Sequence, residues 1–222
     1  MEEIIKVAQT LGVAVAELIL MIYFCKQYLN NAIGKINVPQ TVVKQNAIDM
    51  EMMKKMDFVK ELVGADRILL FEFHNGQHYS NYRSALKMSA SYEVYRAGLE
   101  SSREKCSNLP ISIMPKFIST LTQEGKVVCR DIETIKNDMG NSYAFKKSIG
   151  IKSFYDVAIR DIDGNIIGFV AVQWNDEMPC SGVDEEVQRL AWYLEDCVRR
   201  LTCLDQKEKN KVSLFPKLFR KK

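Results

Sequence analysis

Two β-rich runs, residues 151–160 (IKSFYDVAIR) and 165–174 (NIIGFVAVQW), constrain this chain more than any other feature. They are joined through Asp161, Ile162, Asp163 and Gly164, where Asp163-Gly164 supplies the positive φ angles that a tight turn needs. The two runs are expected to pair as central antiparallel strands.

What flanks the hairpin narrows the fold further. Between Thr41 and Val63, the residues Ile48, Met52, Met56, Val59 and Val63 recur at steps of three or four and form one stripe of an amphipathic helix. A break at Asn37, Val38 and Pro39 precedes it. After the hairpin, Val187, Leu190, Ala191, Leu194, Cys197, Val198 and Leu201 make a second stripe. That helix is expected from near Ser181 to about Leu204, with acidic residues 184–186 at its start and Arg199 and Arg200 at its end, as the helix dipole favours. Arg67 to Phe73 reads as a buried strand ended by a turn at His74, Asn75 and Gly76. Ala85 to Val94 alternates and is expected to be a strand with one polar face, through Lys87, Ser89, Ser91 and Glu93. A less regular middle segment, Arg96 to Gly150, holds a helix after Pro115, a strand at Lys126 to Cys129 and a helix at Ser142 to Ser148. Together these elements predict an α+β domain with an antiparallel sheet and its first and last helices on one face.

Residues 4–25 contain eleven Leu, Ile, Val or Phe, each favouring insertion into a membrane by roughly 0.3 to 0.6 kcal/mol. Glu17 opposes this by about 2.5 to 3.5 kcal/mol, which leaves a modest net preference for a transmembrane helix. Glu2 and Glu3 precede the segment, and Lys26, Lys35 and Lys44 follow it before the next acid, Asp49, so the C-terminal side is expected in the cytoplasm. The six cysteines form no Cys-x-x-Cys pair and suit reduced cytosolic thiols. Ala8, Gly12 and Ala16 have the spacing of close-packed membrane helices, with Glu17 beside them; a weak anchor or a buried amphipathic helix is the plainer alternative. A cleaved signal peptide is disfavoured by the missing basic start and A-x-A site.

The net charge of +3 conceals a basic tail, since residues 206–222 hold seven Lys or Arg against one Glu. Phe215, Lys217, Phe219 and Arg220 give that tail the aromatic and basic mixture that contacts anionic lipid, with a solubilising extension as the plain alternative. The mildly acidic remainder offers no second basic face, so no nucleic-acid partner is expected. The resulting organisation is a membrane anchor at 1–30, a linker at 31–44, a domain at 45–204 and a tail at 205–222.

The order of elements resembles a GAF domain over about residues 45–204. The resemblance rests on Ala65-Asp66-Arg67 at the first strand, and on Gly150-Ile151-Lys152-Ser153 leading to residues 163–170, DGNIIGFV. PAS-related sensory folds share a terminal hairpin of this kind. The membrane segment, FEFHNG (71–76) and KMSASYE (87–93) are also similar to small membrane-anchored GAF-like proteins of bacterial viruses. The resemblance implies a ligand pocket between the sheet and the middle segment, and a homodimer formed through the terminal helices in coiled-coil fashion. The residue sets of the cyclic-nucleotide binders and the cysteine contexts of bilin photoreceptors and methionine sulfoxide reductases are absent, so no particular ligand, cofactor or activity follows.

The residues expected to line such a pocket are His74, Asn75, Tyr79, Arg83, Lys87, Ser89 and Tyr92, with Asn141 and Tyr143 from the middle segment. Singly each suits an ordinary solvent-facing residue; together they suit a polar sheet face under a long loop. His74 and His78 are the only histidines, and the Asn75-Gly76 between them argues against a helical metal pair. No nucleophile elbow or Gly-rich phosphate loop occurs. The expectation is a membrane-tethered, non-enzymatic module that senses or sequesters a small molecule or a partner protein. The alternative is a structural interaction domain with no ligand pocket.

Overall fold

The computed structural model describes residues 15, 17–28, 40–78, 82 and 84–217, with backbone alone at 40, 77 and 205–217. The chain divides into two compact units, residues 1–46 and 47–222. In the first, residues 17–28 are helical, and Leu18, Ile19, Leu20, Met21, Ile22, Tyr23 and Phe24 are all exposed. Among the described residues no helix is long and apolar enough to cross a membrane; residues 1–14 of the expected span lie outside them.

The second unit is built on a six-stranded antiparallel sheet in the order β3-β2-β1-β6-β5-β4. The strands are β1 (Arg67–His78), β2 (Ser84–Tyr95), β3 (Leu109–Pro110), β4 (Lys126–Cys129), β5 (Ser153–Arg160) and β6 (Ile166–Trp174). The helices are α1 (Gln40–Leu62), α2 (Pro115–Glu124), α3 (Gly140–Ser148) and α4 (Val183–Lys217).

Strand alternation sends side chains to two faces, and each face has its own core. On one, Met52, Met56 and Val59 of α1 and Val187, Leu190 and Leu194 of α4 pack on Ile68, Leu70, Tyr155, Val170 and Val172. These are the two stripes legible in the sequence, and both helices cover the same face. On the other, Phe117 and Leu121 of α2 pack with Leu69, Phe71, Phe154 and Phe169. The rings of Phe71 and Phe169 stack at 4.6 Å, and Phe117 meets Phe169 edge-on at 5.4 Å. The space between sheet and middle segment is therefore largely filled by aromatic side chains.

Several boundaries differ from expectation. β1 does not end in a turn at His74-Asn75-Gly76; it continues to His78, pairing His74 with Lys87 and Asn75 with Leu86. Gly76 serves close approach instead, since a Cβ there would stand 2.3 Å from the carbonyl oxygen of Ala85. β2 does not keep one polar face. A bulge between Leu70 and Phe71 sets Leu70 opposite Tyr92 but Phe71 opposite Ala90, so the strand changes faces part-way. Met88 and Ala90 join the aromatic core, whereas Tyr92 and Val94 join the helix-covered one.

The β5–β6 hairpin forms as expected, but of Asp163 and Gly164 only Gly164 has positive φ, at 82°. The Asp161 carboxylate organises the loop, accepting from the amides of Asp163 and Asn165 at 2.9 and 2.8 Å. α4 starts at Val183, close to the expected Ser181, but it runs to Lys217 rather than stopping near Leu204. Much of the basic tail therefore continues the helix.

Candidate functional site

Among the described residues, those expected to share a pocket fall into two groups. His74, Lys87, Ser89 and Tyr92 lie on the helix-covered side of the sheet, because Phe71 and Phe73 point to the aromatic core and the intervening residues point away. His74 Nε2 lies 2.8 Å from Ser89 Oγ, which also accepts from the amide of Asn108 at 2.8 Å. Its Nδ1 meets only the Asn75 carbonyl at 3.4 Å, so this pair has no carboxylate to orient it. Asn75 itself is exposed. Tyr92 donates to Asp49 Oδ1 at 2.6 Å, tying β2 to α1. Tyr79 and Arg83 lie outside the described residues, as do Phe219 and Arg220. Glu17 is exposed on the N-terminal helical stretch; Phe215 and Lys217 belong to α4.

Asn141 and Tyr143 stand elsewhere, in α3. Tyr143 is buried and donates to the Glu133 carboxylate at 3.0 Å, while Lys147 Nζ donates to the Tyr143 oxygen at 2.6 Å. Lys147 and Tyr143 together hold the Glu133 carboxyl below the usual carboxylate range. Asn141 donates to the Ile113 carbonyl at 2.8 Å and so joins α3 to the turn before α2.

That junction borders a recess of about 250 Å³, lined by Met114, Lys116, Phe117, Met139, Asn141 and Ser142 among others. Phe117, Met114 and Met139 make it largely apolar. Its polar groups are few: the buried Ser142 Oγ has no hydrogen-bond partner, and the first turn of α3 has no side-chain cap. An uncapped helix start presents N–H groups and the positive end of the helix dipole. Lys116 and Asp138, both in the lining, pair with each other. The arrangement suits a small molecule with an apolar body and an oxygen acceptor.

Beneath α3, a buried ion pair crosses the second core. Lys146 Nζ lies 2.7 Å from Asp156 Oδ2, with side-chain exposures of 6% and 0%. Burial pushes the Asp156 carboxyl up, and Lys146 opposes that shift. A second buried pair joins Arg67 Nε to Glu93 Oε1 at 3.1 Å. Sequence reasoning did not select these four residues. For Asp156 a signal existed, since a lone acid inside the apolar run SFYDVAI needs a buried partner.

The thiols have a different character. Cys106, Cys129 and Cys197 are buried, and burial pushes each pKa up, which disfavours the reactive thiolate. Among the described residues no three His, Cys, Asp or Glu side chains are placed to hold a metal ion.

With this geometry in hand, the solved structures supply the comparison. The blue-light absorbing form of the Thermosynechococcus elongatus PixJ GAF domain superposes with a TM-score of 0.55 at 14% identity, covering 80% of this chain and 96% of that one. The fold is GAF-like. The phycoerythrobilin-bound GAF domain of a cyanobacterial phytochrome gives 0.52 at 13% identity over 74% and 95% of the two chains. The chromophore-binding domain of a bacteriophytochrome from R. palustris gives 0.52 at 12% identity over 76% and 60%. No protein-family model and no curated protein matches the sequence. Within this GAF-like fold, α2, β4 and α3 make up the middle segment, and the apolar recess opens beside it.

Proposed function

We propose that the chain is a membrane-tethered, non-enzymatic GAF-like module that senses or sequesters a small molecule. The observation that carries this reading is the recess beside Phe117, whose apolar wall meets the unpartnered Ser142 hydroxyl and the uncapped start of α3. Its volume of about 250 Å³ lies below the roughly 300–1,000 Å³ typical of drug-sized sites. The ligand is therefore small, and bilins of the kind bound by the phycoerythrobilin-bound neighbour are not favoured. The buried, high-pKa thiols also disfavour covalent attachment of a chromophore at Cys106 or Cys129.

Tethering rests on the sequence of residues 4–25, with the exposed apolar helix at 17–28 as support. The orientation with the domain in the cytoplasm, contact of Phe215, Lys217, Phe219 and Arg220 with anionic lipid, and kinship with membrane-anchored proteins of bacterial viruses rest on sequence alone. A homodimer through the terminal helices draws support from Phe58 and Leu62 of α1 and Trp192 of α4, all more than half exposed.

The test of the tether is fractionation of the full chain against one lacking residues 1–30. Tethering predicts the full chain in membranes and the shortened chain in the soluble fraction; two soluble chains overturn it. A second reading, an interaction domain with no ligand space, draws on the filled aromatic core around Phe169. Ligand screening of the recess separates the two.

A further inference from the structure

A second recess, of about 270 Å³, opens where β1 begins and β2 and β6 end, beside the C-terminus of α3. We infer that it binds a small zwitterion carrying a carboxylate next to an ammonium, of which a free α-amino acid is the simplest.

Arg67 is only 4% exposed. Its Nε lies 3.1 Å from the Glu93 carboxylate as an ion pair without a hydrogen bond, its Nη2 donates to the Glu100 carbonyl at 3.0 Å, and its Nη1 has no hydrogen-bond partner. A buried guanidinium nitrogen without an acceptor is costly, and this residue lines the recess. Glu93 cannot serve it further. Its oxygens already accept from the Ser102 amide at 2.9 Å, the Ser102 hydroxyl at 2.7 Å and the Ser101 hydroxyl. The carboxylate thus shapes the loop 98–105 and cancels the charge of Arg67.

A second lining residue has the opposite deficit. Asn175 anchors its backbone N–H on Asp66 Oδ2 at 2.8 Å, yet its buried Oδ1 accepts nothing. One lining residue therefore lacks an acceptor and another lacks a donor. The remaining charged lining residues, exposed Lys105 and Glu100, are again of opposite sign. A simple anion or cation leaves one of these groups unmet, whereas a zwitterion satisfies both: its carboxylate accepts from Arg67 Nη1, and its ammonium donates to Asn175 Oδ1. The volume admits a small amino acid and excludes a drug-sized molecule.

The test is a titration of the ¹⁵N-labelled full chain with glycine, alanine, acetate and ethylamine at constant ionic strength, followed through the amides of Ser101, Ser102, Lys105 and Ile149. Glycine or alanine is expected to shift these amides saturably, with acetate and ethylamine each about tenfold weaker or more. Asn175→Leu should weaken the amino acid about tenfold. Lys105→Glu, at an exposed position that does not threaten folding, should weaken it severalfold. Equal binding of acetate and glycine, unchanged affinity in both variants, or no saturable shift with either amino acid overturns the assignment. A ligand in the Phe117 recess moves the amides of residues 140–142 instead, so the two sites fail independently.

Discussion

Lys146 Nζ lies 2.7 Å from Asp156 Oδ2 and 3.7 Å from the ring centre of Phe154, so one buried ammonium is shared between a carboxylate and an aromatic face. The pair spans α3 and β5 and fixes the middle segment against the sheet. Removing one partner strands the other inside. Asp156→Asn is expected to cost about 3–5 kcal/mol in urea unfolding, whereas Lys146→Met combined with Asp156→Leu should cost far less. Equal losses in the single and double variants would contradict a desolvated, mutually dependent pair.

Gly168 supports the central pairing of β6 with β1. A Cβ there would stand 2.0 Å from the carbonyl oxygen of Phe71, a backbone atom that cannot move without disturbing the ladder. Gly168→Ala should destabilise by about 1–3 kcal/mol or more, read from the urea midpoint, although alanine is among the smallest substitutions. A neutral result would mean that the two strands stand farther apart than described.

The thiols divide into two sets. Cys25, Cys180 and Cys203 are exposed, and Cys106, Cys129 and Cys197 are buried with raised pKa. Mass spectrometry after brief treatment of the native chain with iodoacetamide should show alkylation at Cys180 and Cys203, which lie outside the expected membrane segment, and none at Cys106, Cys129 and Cys197. The buried three should react once the chain is unfolded.

Tyr92 gives a pH dependence with a definite sign. Burial, followed by its hydrogen bond to Asp49, raises the phenol pKa above the unfolded value. Its contribution to stability is fully present below the unfolded pKa of about 10 and is lost as pH rises through the folded value. Urea midpoints measured from pH 8 to 11.5 should fall more steeply for the natural chain than for Tyr92→Phe. Parallel curves would contradict the shift.

Legibility in the sequence followed the range of the interaction. The β5–β6 hairpin and the stripe of Met52, Met56 and Val59 could be read because their determinants are close in sequence: a turn between two β-rich runs, and a helical repeat. β4 emerged at its expected bounds for the same reason. The errors arose where a distant partner decides. Asn75-Gly76 carries a turn signal, but pairing with Leu86 and the close approach to Ala85 hold it in β1. The bulge opposite Leu70 and Phe71 sends Met88 and Tyr92 to different faces and so places Tyr92 with Lys87 and Ser89 on the helix-covered side, away from Asn141 and Tyr143 in α3. Arg67 pairs with Glu93 and Lys146 with Asp156 only after the sheet and α3 are assembled, so even where Asp156 stood out as a lone acid in an apolar run, no local pattern named its partner.

The account stands or falls on the recess beside Phe117 and Ser142. Its most direct test is thermal unfolding of the full chain and of Ser142→Leu against a panel of small metabolites bearing a carboxylate or phosphate on an apolar body. A ligand that binds only the folded chain must raise its midpoint, by the equivalent of about 2.7 kcal/mol at a hundredfold excess over Kd. The account predicts at least one compound that stabilises the natural chain and loses that effect in the variant. No stabilisation across the panel, or equal stabilisation of both chains, would contradict it.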